Sequence, residues 1–280
     1  MRQFDIIPVM IGFLLRKTMY DLWDNMFKVV LVNLGFVAVT AIPIFLPKLA
    51  AKFVDSLALE IGLSALGILL CSIYLASAAL SLKSISDYGS FNFADFIRNL
   101  KAALPAGLAM GGFVFFLYIV ITIIIPFYLS IEAFVGLILA MVIFWMSVFA
   151  LLSFQFFFTV YARLSSPADP EKRTSGRSLF KTFKKCMIIS LDNSGLSLFL
   201  LLHNFAALLV SVIFAFMFPG PAGILLYIDE ALRLRLLKYD WLEANPGADR
   251  RKIPWDALLI EEREKTGIRT LRNFIFPWKD

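Results

Sequence analysis

Five stretches of this chain, at about Val29 to Leu46, Ile61 to Leu82, Ala106 to Leu129, Ala133 to Tyr161 and Leu196 to Met217, are continuous apolar runs. Each is long enough to cross a hydrocarbon core about 30 Å thick, which takes about 20 residues of helix. The runs do not alternate with period two, as strands with a lumen face and a lipid face would, so a membrane β-barrel is disfavoured. Composition agrees: 60% of the 280 residues are hydrophobic and only 17% are charged, against about 25% charged in a soluble domain.

A sixth segment, Pro221 to about Leu237, begins with PAGILLYI and then carries Asp229, Glu230, Arg233 and Arg235. Hydropathy alone would omit it, but loop charge includes it, because Lys and Arg are retained on the cytoplasmic side. With six spans and both termini inside, the inner segments hold 4, 3, 7 and 11 basic residues and the outer loops 2, 0 and 0. With five spans, the eleven basic residues of the tail would lie outside. The predicted fold is therefore an all-α polytopic bundle of six spans paired as three hairpins, N-in and C-in. Residues 1–25 form an N-terminal interfacial amphipathic helix, 26–238 the membrane domain, and 239–280 a cytoplasmic tail with a short amphipathic helix.

Each hairpin is preceded by a segment mixing aromatic, amide and basic residues: DLWDNMFKVV, ADFIRNLKAALP and SLFKTFKKCMII. These read as helices lying in the interface plane, with Phe96 on the apolar face and Arg98 and Lys101 reaching head groups. Lys184 and Lys185 in the third, and Phe276 and Trp278 in the tail, are further candidate lipid or partner contacts. Their spacing hints at a repeated helix-plus-hairpin unit, in which Tyr74 to Ala78 corresponds to Tyr227 to Ala231. In the tail, Pro254 and Gly267 bracket PWDALLIEEREKT with proline at the start and glycine after the end.

An unpaired charge in lipid costs about 2.5–3.5 kcal/mol on insertion scales. Asp229 and Arg233 are spaced i,i+4 and can pair along one helix face, with Glu230 and Arg235 on others. Two readings stay open: a polar lining for a solute or ion path, or charges at the inner interface that hold helices together. His203, Asn204 and Asn33 are placed to hydrogen-bond between helices. A serine–histidine dyad is disfavoured, because Ser197 and His203 fall on different faces of one helix. Cys71 and Cys186 form neither a disulfide framework nor a zinc spacing. No P-loop, dinucleotide fingerprint or HExxH occurs, so neither a cofactor nor catalysis is expected. The net charge of +6 is explained by anionic lipid at the inner face rather than by nucleic acid. The N-terminal segment lacks a small-residue cleavage pattern and is expected to stay on the mature protein.

One loop partly resembles the coupling loop of ABC-importer permeases: Asp87-Tyr-Gly89 is followed by Phe96 at the family's spacing, then Leu104 and Pro105. The Glu-Ala-Ala of that pattern is missing and a tyrosine separates Asp from Gly. A broader resemblance, through NMFKVVLVNLGFVAVTAIPIF, FADFIRNLKAALPAGL and FPGPAGILLYIDEALRLRLLKYD, is to the YesL-type family of bacterial integral membrane proteins of unknown function. It spans most of residues 20–240. The resemblance implies a bacterial inner-membrane location and an association with carbohydrate uptake, and it assigns no residue a role.

The expectation is a non-catalytic accessory or assembly partner of a solute transport system, in contact with anionic lipid, with transport-complex subunits or with further copies of itself. The alternative is a small-solute transporter or channel with Asp229, Glu230 and Arg233 lining the path. A third reading makes the inner face a lipid sensor that binds head groups through Arg250, Arg251 and Lys252.

Overall fold

In lipid every backbone polar group must be satisfied within the chain, which an apolar segment achieves as a helix. The computed structural model describes residues 6–54, 56–165, 179–250, 252–267 and 269, and among these there is no strand. In chain order the helices are α1 (Ile6–Asp24), α2 (Met26–Ala50), α3 (Leu57–Ser86), α4 (Phe93–Leu129), α5 (Phe134–Leu164), α6 (Leu179–Asp192), α7 (Ser194–Ile213), α8 (Gly220–Ala244), α9 (Trp255–Leu258) and α10 (Ile260–Thr266). Helices α2, α3, α4, α5 and α7 are the 5 long and apolar enough to cross a membrane. The chain thus has the build of a multi-pass membrane protein. The expected sixth span, α8, is 25 residues long but too rich in charge to join that set.

Large apolar side chains such as Phe134, Trp145 and Met146 on α5 and Phe205 and Leu209 on α7 are exposed, as spans facing lipid tails require. Between spans, small residues let backbones approach. On α4, Gly107 and Gly111 are one turn apart, and a Cβ on either would run into Ile73 or Leu69 of α3. Gly67 of α3 takes Pro43 of α2 in the same way.

Helix α4 runs without a break from Phe93, so the second expected interfacial segment is not a separate helix in the interface plane. Phe96, expected at the lipid or a partner, is buried and packs on Tyr74 at 5.1 Å between ring centroids. Its register sends it inward, while Arg98 and Lys101 are exposed, Arg98 pairing with Asp95. Helix α4 widens to a π-turn at Val120–Ile124, just before Pro126, whose missing N–H and ring clash an α-turn would not accommodate.

The first expected segment, 21–30, is divided by a break at Asn25, and the third, 178–189, lies from Leu179 onward in a helix that runs on to a break at Asn193; the two breaks share a chemistry. At Asn25, between α1 and α2, the side chain donates to the Asp21 carbonyl and accepts from Lys28. At Asn193, between α6 and α7, it donates to the Ile189 carbonyl and accepts from Lys238. An asparagine that recaptures the carbonyl four residues back supports an end of one helix and the start of another. Lys184 and Lys185 lie exposed on α6.

Helix α1 carries a buried stripe at Met10, Phe13, Leu14, Lys17 and Thr18, the i, i+3, i+4, i+7, i+8 pattern of a helix packed on a core. Its partner is α8, whose Leu225, Leu226, Tyr227, Ile228, Ala231 and Leu232 are all buried. The tail bracket between Pro254 and Gly267 holds, interrupted at Leu259, and Gly267 takes a positive φ of 70° after the last turn.

Candidate functional site

The carboxyl ends of α3 and α5 meet α8, α1 and the tail in a cluster of ionised side chains. Asp229, 2% exposed, receives a two-pronged bond from Arg163 of α5: Nε donates to Oδ1 at 2.9 Å and Nη2 to Oδ2 at 2.6 Å. The Ser86 hydroxyl donates to the same carboxylate. The planar guanidinium matches the carboxylate fork, which gives the pair direction as well as charge.

Glu230, 1% exposed, faces the other way and meets α1. It accepts from the Thr18 hydroxyl and from Lys17 Nζ at 3.4 Å. Lys17 also donates to Asp21 at 2.5 Å and to the Ser86 carbonyl at 3.2 Å. Neighbours on α8 thus point their carboxylates at different helices, as a rotation of about 100° per residue dictates.

Arg233 donates to the Ser86 carbonyl at 2.8 Å, to Asp87 at 2.8 Å and to Glu262 of the tail at 2.7 Å. The expected i,i+4 pair between Asp229 and Arg233 does not form: each finds a partner from another element. Two cations on the last carbonyl of α3 also suit the negative end of that helix dipole. Arg235 stands apart, its guanidinium 5.5 Å from the Trp255 ring centre, with a buried Nε that meets no hydrogen-bond acceptor among the described residues.

Tyr88 sits at the centre of the cluster with a left-handed backbone, φ 60°. Lys17 Nζ lies 4.4 Å and the Arg233 guanidinium 5.0 Å from its ring centre, a cation–π arrangement. Its hydroxyl donates to Glu262 Oε2 at 2.9 Å, and burial holds the phenol well above its ordinary pKa range. Asp87 is bonded by Arg163 and Arg233, so the Asp-Tyr-Gly turn that resembles a coupling loop is tied into its own chain.

The remaining predicted polar residues are dispersed. Asn33, fully buried, donates to the carbonyls of Met217 and Pro219 and accepts from the Ala222 N–H at 2.8 Å. It therefore clasps the turn ahead of α8. Gly220 there has φ 58°, and a Cβ would strike the Asn33 amide. Asn204 reaches Gln155 at 3.5 Å, and His203 stacks on Tyr227 with ring centres 3.7 Å apart. Phe276 and Trp278 lie outside the described residues, as does Arg251. Sequence reasoning missed Lys17, Ser86, Arg163 and Glu262, which lie in other elements than Asp229, Glu230 and Arg233.

No family model, curated protein or solved structure matches the chain.

Proposed function

We propose that the chain is a six-span bacterial inner-membrane protein of the YesL type, with both termini inside, acting as a non-catalytic accessory or assembly partner of a solute transport system. One observation carries this reading: Asp229, Glu230 and Arg233 are each bound to other elements of the same chain. A path for ions or sugars needs such groups turned toward water, whereas here they join spans, the first helix and the tail. The same cluster fixes the tail against the helix ends, which prearranges a basic, aromatic inner surface for a partner. Short connections such as Ser130 to Ala133 on the other side offer little to bind. The six-span count and the orientation rest on the distribution of basic residues.

The test is purification of the tagged protein in mild detergent with identification of what accompanies it. Co-purification with permease or other transport subunits is the expected outcome, and a solitary monomer overturns the reading. A reporter fused after Asp280 that is active only on the outer side overturns the six-span topology.

A further inference from the structure

Helix α10 buries a single side chain, and it is a carboxylate: Glu262 is 4% exposed, while Ile260, Glu261, Glu264 and Lys265 face outward. Apolar packing is what ordinarily holds a short helix in place, so α10 is fastened by polar contacts instead. Its fastening is a built carboxylate site. Arg233 Nη2 donates to Glu262 Oε1 at 2.7 Å and the Tyr88 hydroxyl to Oε2 at 2.9 Å, so each oxygen has its own donor. Both donors are held by the body of the protein as well: Arg233 also bonds the Ser86 carbonyl and Asp87, and Lys17 lies against the Tyr88 ring. Tyr88 has a left-handed backbone, φ 60°, which residues other than glycine seldom adopt and which clusters at binding and switch sites.

The geometry points to a docking site for an acidic side chain of a partner protein, which Glu262 fills in the free chain and from which α10 is displaced when the partner docks. This rests on the reading of the inner face as a partner surface, and it names the chemistry that the partner supplies. An aspartate or glutamate of the partner offers Arg233 and Tyr88 the same two oxygens. The exchange strands no charge: Arg233 keeps the Ser86 carbonyl and Asp87, and Glu262 moves into water with the rest of α10. The site borders water, since the Asp87 side chain on the same guanidinium is 39% exposed. Internal competition also sets the affinity, because a partner binds only the fraction of chains whose site Glu262 has left.

The probe is a fluorescein-labelled octaglutamate peptide, and the readout is its anisotropy with the full chain in neutral detergent micelles. No transport subunit is needed, so this test and the co-purification fail separately. Glu262→Gln removes the internal competitor and is expected to tighten binding about ten- to hundred-fold, the worth of one charge-assisted hydrogen bond. Glu264→Gln changes the net charge equally at an exposed position, where salt screens it, and is expected to alter binding less than about two-fold. Adding Arg233→Gln to Glu262→Gln abolishes the gain, with Arg233→Lys as a second variant should the first fail to fold. In the wild-type chain, saturating peptide speeds hydrogen exchange of the amides in Ile260–Thr266. Equal gains for the two glutamate variants, a gain that persists in a correctly folded Arg233 variant, or bound peptide with unchanged exchange in α10 overturns the proposal.

Discussion

Arg163 and Asp229 form a bidentate ion pair between the end of α5 and the middle of α8, with the Asp229 side chain 3% exposed. Removing one member leaves a buried charge uncompensated, at a cost of about 3–5 kcal/mol, whereas replacing both by apolar groups of similar volume is often neutral. Arg163→Met and Asp229→Leu are each expected to lower the melting temperature in detergent sharply, and the double variant to recover most of the loss. Additive losses in this double-mutant cycle would show that the two residues act independently.

Gly107 lies against the α3 backbone at Ile73. Gly107→Leu overpacks that seam and is expected to destabilise by about 1–3 kcal/mol, while Gly112→Leu, where a Cβ meets nothing within 4 Å, is tolerated. Thermal unfolding of the two variants side by side is the measurement.

The Asn33 clasp makes a parallel prediction at the other end of α8. Asn33→Leu leaves the Ala222 N–H and the Met217 carbonyl without their partner, while the Pro219 carbonyl keeps the Gly223 N–H, costing about 1–3 kcal/mol for each buried group left unpaired. Protease nicking of the segment from Phe214 to Pro219 in the folded variant, absent in the wild type, is the readout.

Asp192 supplies a pH dependence. Partial burial raises its carboxyl pKa, but hydrogen bonds from Tyr239 and Lys238 outweigh that and bring it below the ordinary value. A depressed pKa contributes stability above the unfolded value, about 3.9, and the contribution fades as pH falls through the folded value. The melting-temperature gap between wild type and Asp192→Asn is expected to be constant above about pH 5 and to shrink below about pH 4. A gap that widens on acidification contradicts this sign.

The tail is held through Glu262 by Arg233 at 2.7 Å and by Tyr88 at 2.9 Å. Glu262→Ala is expected to release α9 and α10 to limited proteolysis after Ile253, with the spans left intact on a gel.

The long apolar runs of α2, α3, α4, α5 and α7 are legible in the sequence because hydrocarbon thickness demands them. The partners of Asp229 and Glu230 are not legible, since spacing rules see only neighbours on one helix. Arg163 is 66, Ser86 143 and Lys17 213 residues away from the carboxylates they meet. Phe96 shows the same limit: an amphipathic pattern identifies its apolar face but not whether that face meets lipid or another helix. The breaks at Asn25 and Asn193 each follow an aspartate, a local sign that hydropathy does not register.

Lys17 and Asn33 precede their partners Glu230 and Ala222 by 213 and 189 residues, so each is synthesised well before the helix it meets. Until α8 is made, the buried lysine lacks Glu230 and the buried amide lacks the Ala222 N–H. A chain truncated before that helix therefore leaves the Asn33 amide oxygen without the Ala222 N–H and Lys17 with one carboxylate, Asp21, in place of two.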